Sequence, residues 1–248
     1  AVCTKDGTAI NAENLARFAA VVFYTSGDLC TVAKPAKDGK EDRGPAVSPE
    51  GKAALIEAVR QGLGFVGIHS AADTWHTHTG LPGKEDRYRA YGKRADPYVR
   101  MLGGEFIAHD KHQPGTMLVV DERFPGMAFG PNPVRVTCNQ EWYSFKDFSP
   151  DLHVLIVLDT KGLVGPHYER PPYPLSWARL HGRGRVFYTG LGHGRDDWDS
   201  PAFHSHLIGA LRWATGQVDA DLTPNLKAVA PEHAVIPLSP RTRKANAR

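Results

Sequence analysis

Four stretches of this chain end an apolar or glycine-rich run and then present a histidine or an acid. Gly64–Ile68 (GFVGI) is followed by His69, Ser70 and Asp73. Residues 103–106 (GGEF) lead to His109 and His112, and residues 134–138 lead to Glu141, Trp142 and Tyr143. Residues 185–189 run into Gly190, Gly192, His193, Gly194, Arg195, Asp196, Asp197 and Trp198. His69, His109 and His193 with Glu141 offer two kinds of chemistry. As acid and base they move protons near neutral pH, where imidazole titrates with little tuning. As ligands, three imidazoles and one carboxylate suit Zn²⁺ or another divalent metal. Gly192 and Gly194, on either side of His193, let a ligand approach the backbone closely.

Other chemistries fit these segments poorly. Gly190-Leu191-Gly192-His193-Gly194 is glycine-rich, but its spacing is not that of a phosphate-binding loop and acids follow it. The turn Gly67-Ile68-His69-Ser70-Ala71 resembles a nucleophile elbow with His69 at its apex, and no cysteine lies there. His76 and His78 fall in a Thr-rich segment that reads as a solvated loop, and His204 and His206 read as surface residues of a helix. Asp196 and Asp197 precede a helix start, where negative charge is stabilised without any functional role.

The elements that must position these residues are legible. Residues 19–26 (AAVVFYTS) and Gly64–Ile68 read as buried strands. Between them lie a charged loop at 34–45 and a helix capped by Ser48, with Pro49 at its first position, that ends at Gly62. Strand, helix, strand within this span is the βαβ signature of a parallel sheet. Further strands are expected at 116–120, 134–138, 154–158, 176–180 and 185–189. A last helix opens at Ser200-Pro201, with Phe203, Leu207, Ala210, Leu211 and Ala214 forming its inner face. The expected fold is therefore α/β: an open, mostly parallel sheet flanked by helices over residues 1–216. In such sheets ligands bind beyond the carboxyl ends of the strands, which would gather the four polar segments on one rim.

Residues 217–248 change character. Pro224, Pro231, Pro237 and Pro240 interrupt Leu222, Leu226, Val229, Val235, Ile236 and Leu238, which predicts an extended C-terminal arm lying on the domain or on a second copy in a homo-oligomer. The last eight residues hold Arg241, Arg243, Lys244 and Arg248 with no acid, and read as a disordered basic end. Those four cations exceed the whole formal charge of +3, so the body is slightly acidic. It lacks the basic face that nucleic acid requires. With 41% hydrophobic and 23% charged residues the chain is soluble and can bury a core. No apolar run reaches the ~18–20 residues of a membrane span, and residues 1–20 show no signal-peptide pattern. Cys3, Cys30 and Cys138 are too few and too scattered for a disulfide framework.

Residues 64–74 (GFVGIHSAADT), 102–109 (LGGEFIAH), Glu141-Trp142-Tyr143 and above all 184–199 (GRVFYTGLGHGRDDWD) resemble the ThuA-like (trehalose utilisation) family. The likeness runs from about Val21 to Gly216. It implies a flavodoxin-like sheet similar to class I glutamine amidotransferases, with His69 where those enzymes carry their cysteine. It also implies a bacterial protein of carbohydrate catabolism whose partner is a glycoside or keto-sugar. Many relatives are periplasmic or secreted; a cytoplasmic location is the alternative. On that reading His69, His109, Glu141 and His193 are the catalytic or metal-binding residues. Trp142, Tyr143 and Trp198 would stack on a sugar ring, and Asp73 and Arg195 would bind its hydroxyls. Three departures from the family pattern stand out. The usual first strand and helix are either missing from this stretch or replaced by an unusual opening, Gln140 replaces an acid before Glu141, and two usual His-Pro pairs read otherwise, as Phe124-Pro125 and as Asp110-Lys111-His112 after His109. They leave a rival: a non-catalytic sugar-binding or assembly module on the same fold.

Overall fold

A computed structural model describes residues 1–31, 44–130 and 134–246, so the expected loop at 34–45 lies almost wholly outside the described residues. Nine strands form: β1 (Ala20–Phe23), β2 (Gly64–Ile68), β3 (Glu105–His109), β4 (Gln113–Val119), β5 (Arg135–Gln140), β6 (Tyr143–Lys146), β7 (His153–Asp159), β8 (Tyr173–His181) and β9 (Gly184–Thr189). Helices are α1 (Ala12–Leu15), α2 (Pro49–Arg60), α3 (Pro97–Leu102), α4 (Arg195–Trp198), α5 (Pro201–Ala214), α6 (Leu226–Val229) and α7 (Pro240–Asn246). Seven strands make one sheet in the order β1-β2-β9-β8-β7-β4-β5, and β3 pairs with β6 in a separate antiparallel ribbon.

The sheet is mixed, which corrects the mostly parallel expectation. Only β1, β2 and β9 run parallel, while β9-β8, β8-β7, β7-β4 and β4-β5 are antiparallel. The connections dictate this. A parallel pair needs a crossover of about a dozen residues or more, usually helical. Such crossovers exist only near the parallel strands: α2 joins β1 to β2, and α5 follows β9. Between β4 and β9 the described residues hold no helix, and β8 returns as β9 through a tight turn with Gly182 at φ +62°.

Local chemistry sets the two main helices. The Ser48 hydroxyl accepts a hydrogen bond from Gly51 N at 3.0 Å, Pro49 opens α2, and Gly62 leaves it at φ +124°. Helix α5 buries Phe203, His206, Gly209, Ala210, Trp213 and Ala214. Its inner face is thus turned from the expected one, with Leu207 and Leu211 only partly covered. His206, expected on the surface, is fully buried between Phe129 and Phe187. A side chain at Gly209 would collide with the Pro125 carbonyl, so the segment before β5 lies against α5 at backbone contact.

After Gly216 the chain runs back over the sheet. Arg185 donates to the Val218 carbonyl at 2.7 Å, and Asn225 brackets Val154, accepting from its N at 2.6 Å and donating to its O at 3.0 Å. Leu226 and Ala230 join the main core. The end expected to be disordered forms α7 as far as Asn246.

Candidate functional site

β1, β2 and β9 are adjacent and parallel, so Tyr24, His69 and the loop carrying His193 leave the sheet at one edge. The β3–β6 ribbon closes over the same edge, bringing His109 from the end of β3 and Glu141 from just before β6. The four segments converge. His69 and His193 have ring centroids 5.1 Å apart, and Tyr143 lies 4.0 Å from His69 and stacks on His109 at 5.6 Å.

His69 is fixed by its backbone. It is buried and stands at φ +42°, an uncommon conformation for a side-chain-bearing residue. Its Nδ1 lies 2.9 Å from the Gly190 carbonyl. A carbonyl only accepts, so Nδ1 carries the proton and donates. In the neutral ring Nε2 then holds a lone pair, and it faces Glu141 Oε2 at 3.3 Å. A lone pair and a carboxylate oxygen repel unless a cation, either a proton or a metal ion, lies between them.

His193 Nε2 lies 3.6 Å from the same Oε2. One donor atom from each of His69, Glu141 and His193 falls within 4.8 Å of the other two. Donors about 2.0–2.2 Å from a tetrahedral ion stand about 3.3–3.6 Å from one another, which matches the spacings of the two histidines to Glu141. His109 stands outside this set. Its Nδ1 is 3.0 Å from the Asp110 carbonyl and 3.4 Å from Glu141 Oε1, so it faces the second carboxylate oxygen as a donor rather than sharing the first.

Burial works to raise the Glu141 carboxyl, but its close contact with His69 and the neighbouring His109 and His193 outweigh it and hold the group below its usual range. Burial, reinforced by the neighbouring His69, His112 and His109 and only partly opposed by Glu141, pushes His193 down. Both shifts favour the metal-binding forms, carboxylate and neutral imidazole.

The remaining expected residues divide. Asp73 lines the site from the turn after His69 and pairs with Arg87 at 2.9 Å and His76 at 2.6 Å. Trp198 is partly exposed beside the His193 loop, its indole N–H donating to Gly192 O at 3.0 Å. Trp142 is wholly buried on the opposite face and donates to Gln113 O at 2.9 Å, so it offers no stacking surface. Arg195 reaches into solvent and meets Asp199 at 3.1 Å, away from the site. His76 is buried, not solvated, and lies between Asp73 and Glu105, with Lys146 completing the chain 2.6 Å from Glu105. Gln140 and Asp197 are hydrogen-bonded partners, and Asp197 also accepts from Gly192 N at 2.9 Å. An acid at 140 would set two carboxylates together there.

Two residues at the site, Tyr24 and Arg87, were missed, and His112 was noted beside His109 without a role. Tyr24 stands just past β1, where the rule that found His69 applies equally. His112 has its ring 6.0 Å from His193. Arg87 lies over the Phe106 ring at 5.3 Å, brought there by a 3₁₀ segment, Pro82–Tyr88, that no apolar pattern announces.

Comparison with known families bears on the whole chain. The ThuA family, described as trehalose utilisation, matches residues 1–214. The chain belongs to the ThuA family. A ThuA-like protein from Bacteroides uniformis ATCC 8492 superposes with a TM-score of 0.56 at 19% identity, covering 85% of this chain and 75% of its own. One from Parabacteroides merdae ATCC 43184 gives 0.52 at 16% identity, covering 89% and 79%. At such identities the likeness speaks for the fold. No curated protein matches the chain. No helix among the described residues of this ThuA protein is long and apolar enough to cross a membrane.

Proposed function

We propose that this ThuA protein is an enzyme of carbohydrate catabolism that acts on a glycoside or keto-sugar and uses a divalent metal held by His69, Glu141 and His193. The observation that carries the reading is the His69 ring: its proton is committed to Gly190 O, and its lone pair faces Glu141 Oε2 at 3.3 Å. A backbone acceptor on the far nitrogen is the usual support of a metal-binding imidazole. A bound divalent ion would supply Lewis acidity toward a sugar carbonyl or hydroxyl oxygen.

The chain's own groups supply the rest. His109 Nδ1 steadies Glu141 Oε1, which leaves Nε2 of this exposed ring as the atom to take and return a proton. Tyr143 seals the floor beneath His69 and His109 against water. The parallel β1-β2-β9 half, with His69 on the turn after its middle strand, supports a flavodoxin-like, amidotransferase-like ancestry.

The test is metal content. Purified protein loaded with zinc and dialysed should retain about one equivalent, and Glu141→Gln and His193→Ala should each lose it while unfolding near the wild-type temperature. Turnover of trehalose or a keto-glycoside that tracks metal content would support the enzyme. Metal and sugar binding without turnover of any glycoside would favour the non-catalytic module. Failure of the wild type to retain any divalent ion would defeat the metal site.

A further inference from the structure

We infer that Tyr24 and Trp198 form the ring-stacking platform of this site and that its ligand is a cyclic sugar, held with its hydroxyls toward the Asp73–Arg87 pair. The inference rests on the reading of Glu141 and its histidines as the reactive centre, and adds the surface that selects the substrate. Tyr24 and Trp198 are 49% and 38% exposed, although each sits at the rim of a dense core. Their rings meet edge to face at 5.8 Å, and Trp198 is braced from below by buried Phe203 at 5.2 Å.

The indole cannot swing away. Its N–H donates to Gly192 O, and its own carbonyl accepts from His204 Nε2 at 2.5 Å. A rigid aromatic face, tied to the Gly192 carbonyl next to His193 and partly open to solvent, suits the C–H face of a sugar ring. The opposite requirement is polar. Asp73 and Arg87, joined at 2.9 Å and each about one-fifth exposed, present an acceptor and a donor side by side, as neighbouring hydroxyls require.

Burial first, and then the charges of Asp73 and Glu141 with Tyr24, raise the Tyr143 hydroxyl, and Arg87 opposes them. Burial likewise raises the Tyr24 hydroxyl; a hydrogen bond with Trp198 opposes the rise, and Asp197 and Glu141 reinforce it. Tyr24 therefore stays a neutral donor. Arg87 lies over the Phe106 ring at 5.3 Å, Phe106 packs on Tyr143 at 4.0 Å and Tyr143 on His69 at 4.0 Å, so the charged pair joins the site through one aromatic floor.

Saturation-transfer NMR and calorimetry with trehalose, methyl α-glucoside and sorbitol test this. The two cyclic probes should bind with saturation strongest on ring C–H protons, and acyclic sorbitol should bind at least tenfold more weakly. Trp198→Ala and Tyr24→Ala should each weaken trehalose binding about tenfold or more, Tyr24→Phe less, and all three should retain zinc as the wild type does. Sorbitol binding equal to the cyclic probes, unchanged affinity in both alanine variants, or no binding of either cyclic sugar would each overturn the platform. Cyclic-sugar binding that is lost in these variants, in a protein that retains no zinc, would sustain the platform and strike only the metal reading.

Discussion

His206 gives the sharpest quantitative consequence of this fold. It lies on the inner face of α5 with no solvent exposure, and neither ring nitrogen has a hydrogen-bond partner. Burial pushes its pKa down to about 3, against a smaller opposing contribution from the Gly126 backbone. An unfolded histidine titrates near 6.5. The folded pKa is therefore depressed, and between those values the unfolded chain binds one more proton than the folded one. The contribution is fully present above pH 6.5 and is lost as pH falls toward 3. At about 1.4 kcal/mol per unit, the loss from this residue alone is about 2 kcal/mol at pH 5, a large part of a typical stability of about 5–15 kcal/mol. His206→Leu removes the titration and the two orphaned ring nitrogens. Urea unfolding should find the variant at least as stable as wild type at pH 7.5. It should lose about 2 kcal/mol less than wild type on moving to pH 5. Equal losses in both proteins would refute the buried neutral imidazole.

Four further outcomes follow from particular contacts. Tyr188 is buried and donates to the His69 carbonyl at 2.7 Å, so Tyr188→Phe should cost about 1–3 kcal/mol; it should also weaken zinc binding by roughly 10–100-fold, as lost supports of metal ligands do. A calorimetric zinc affinity equal to wild type would make Tyr188 purely structural. Lys146→Met removes the lysine from Glu105, which is equally buried 2.6 Å away and keeps His76 and Thr77 as partners, and should cost about 3 kcal/mol by urea unfolding, with Lys146→Met/Glu105→Gln recovering part. Asn225→Ala leaves the backbone groups of Val154 without its side chain, so a cost of about 1–3 kcal/mol is expected; no change in melting temperature would mean that the segment after Gly216 merely rests on the sheet. Because His193 and Glu141 are both held below their usual values, zinc retained after dialysis should fall off with a midpoint below pH 6.5, the ordinary histidine value; a midpoint above it would contradict the site's electrostatics.

What the sequence disclosed followed period and position. Gly64–Ile68 was readable to the residue because five consecutive buried positions leave no other periodicity, and the rule for strand ends then placed His69 and His193 together. Trp142 was misread although its signal was present. Side chains alternate along an extended segment, so Glu141 and Tyr143 face the site and Trp142 faces the far side. His206 was misread because Leu207 and Leu211 outcompete a histidine in any apolar pattern, yet the tight approach of Gly126 and Gly209 turns the helix toward it. Glu105 and Lys146 pair across two short strands at a separation of 41 residues, and no local pattern encodes it. The antiparallel half was hidden for the same reason: strand direction is decided by the absence of crossover helices, not by the strands themselves.

The marks of the site are strain and unmatched lone pairs, not volume. The larger cavity, about 460 Å³, lies at the amino ends of β1 and β2 among Ala12, Leu15, Phe18, Ala54 and Leu63. Its walls are mostly apolar, with Glu57 and Gln61 at one side, and among the described residues no cluster of ionisable groups lines it. His69, by contrast, holds a left-handed backbone that costs of the order of 1–3 kcal/mol outside glycine. That conformation is enforced from both ends, by Tyr188 on its carbonyl and Gly190 on its ring. Relaxing the turn would release strain and carry Nε2 away from Glu141. A strained turn that keeps one imidazole nitrogen against a carboxylate, with a second imidazole 3.6 Å from the same oxygen, is the geometry on which the proposed cation site rests. On the metal reading proposed above, His193, whose pKa burial holds down, would add a second imidazole donor 3.6 Å from the oxygen that His69 already faces.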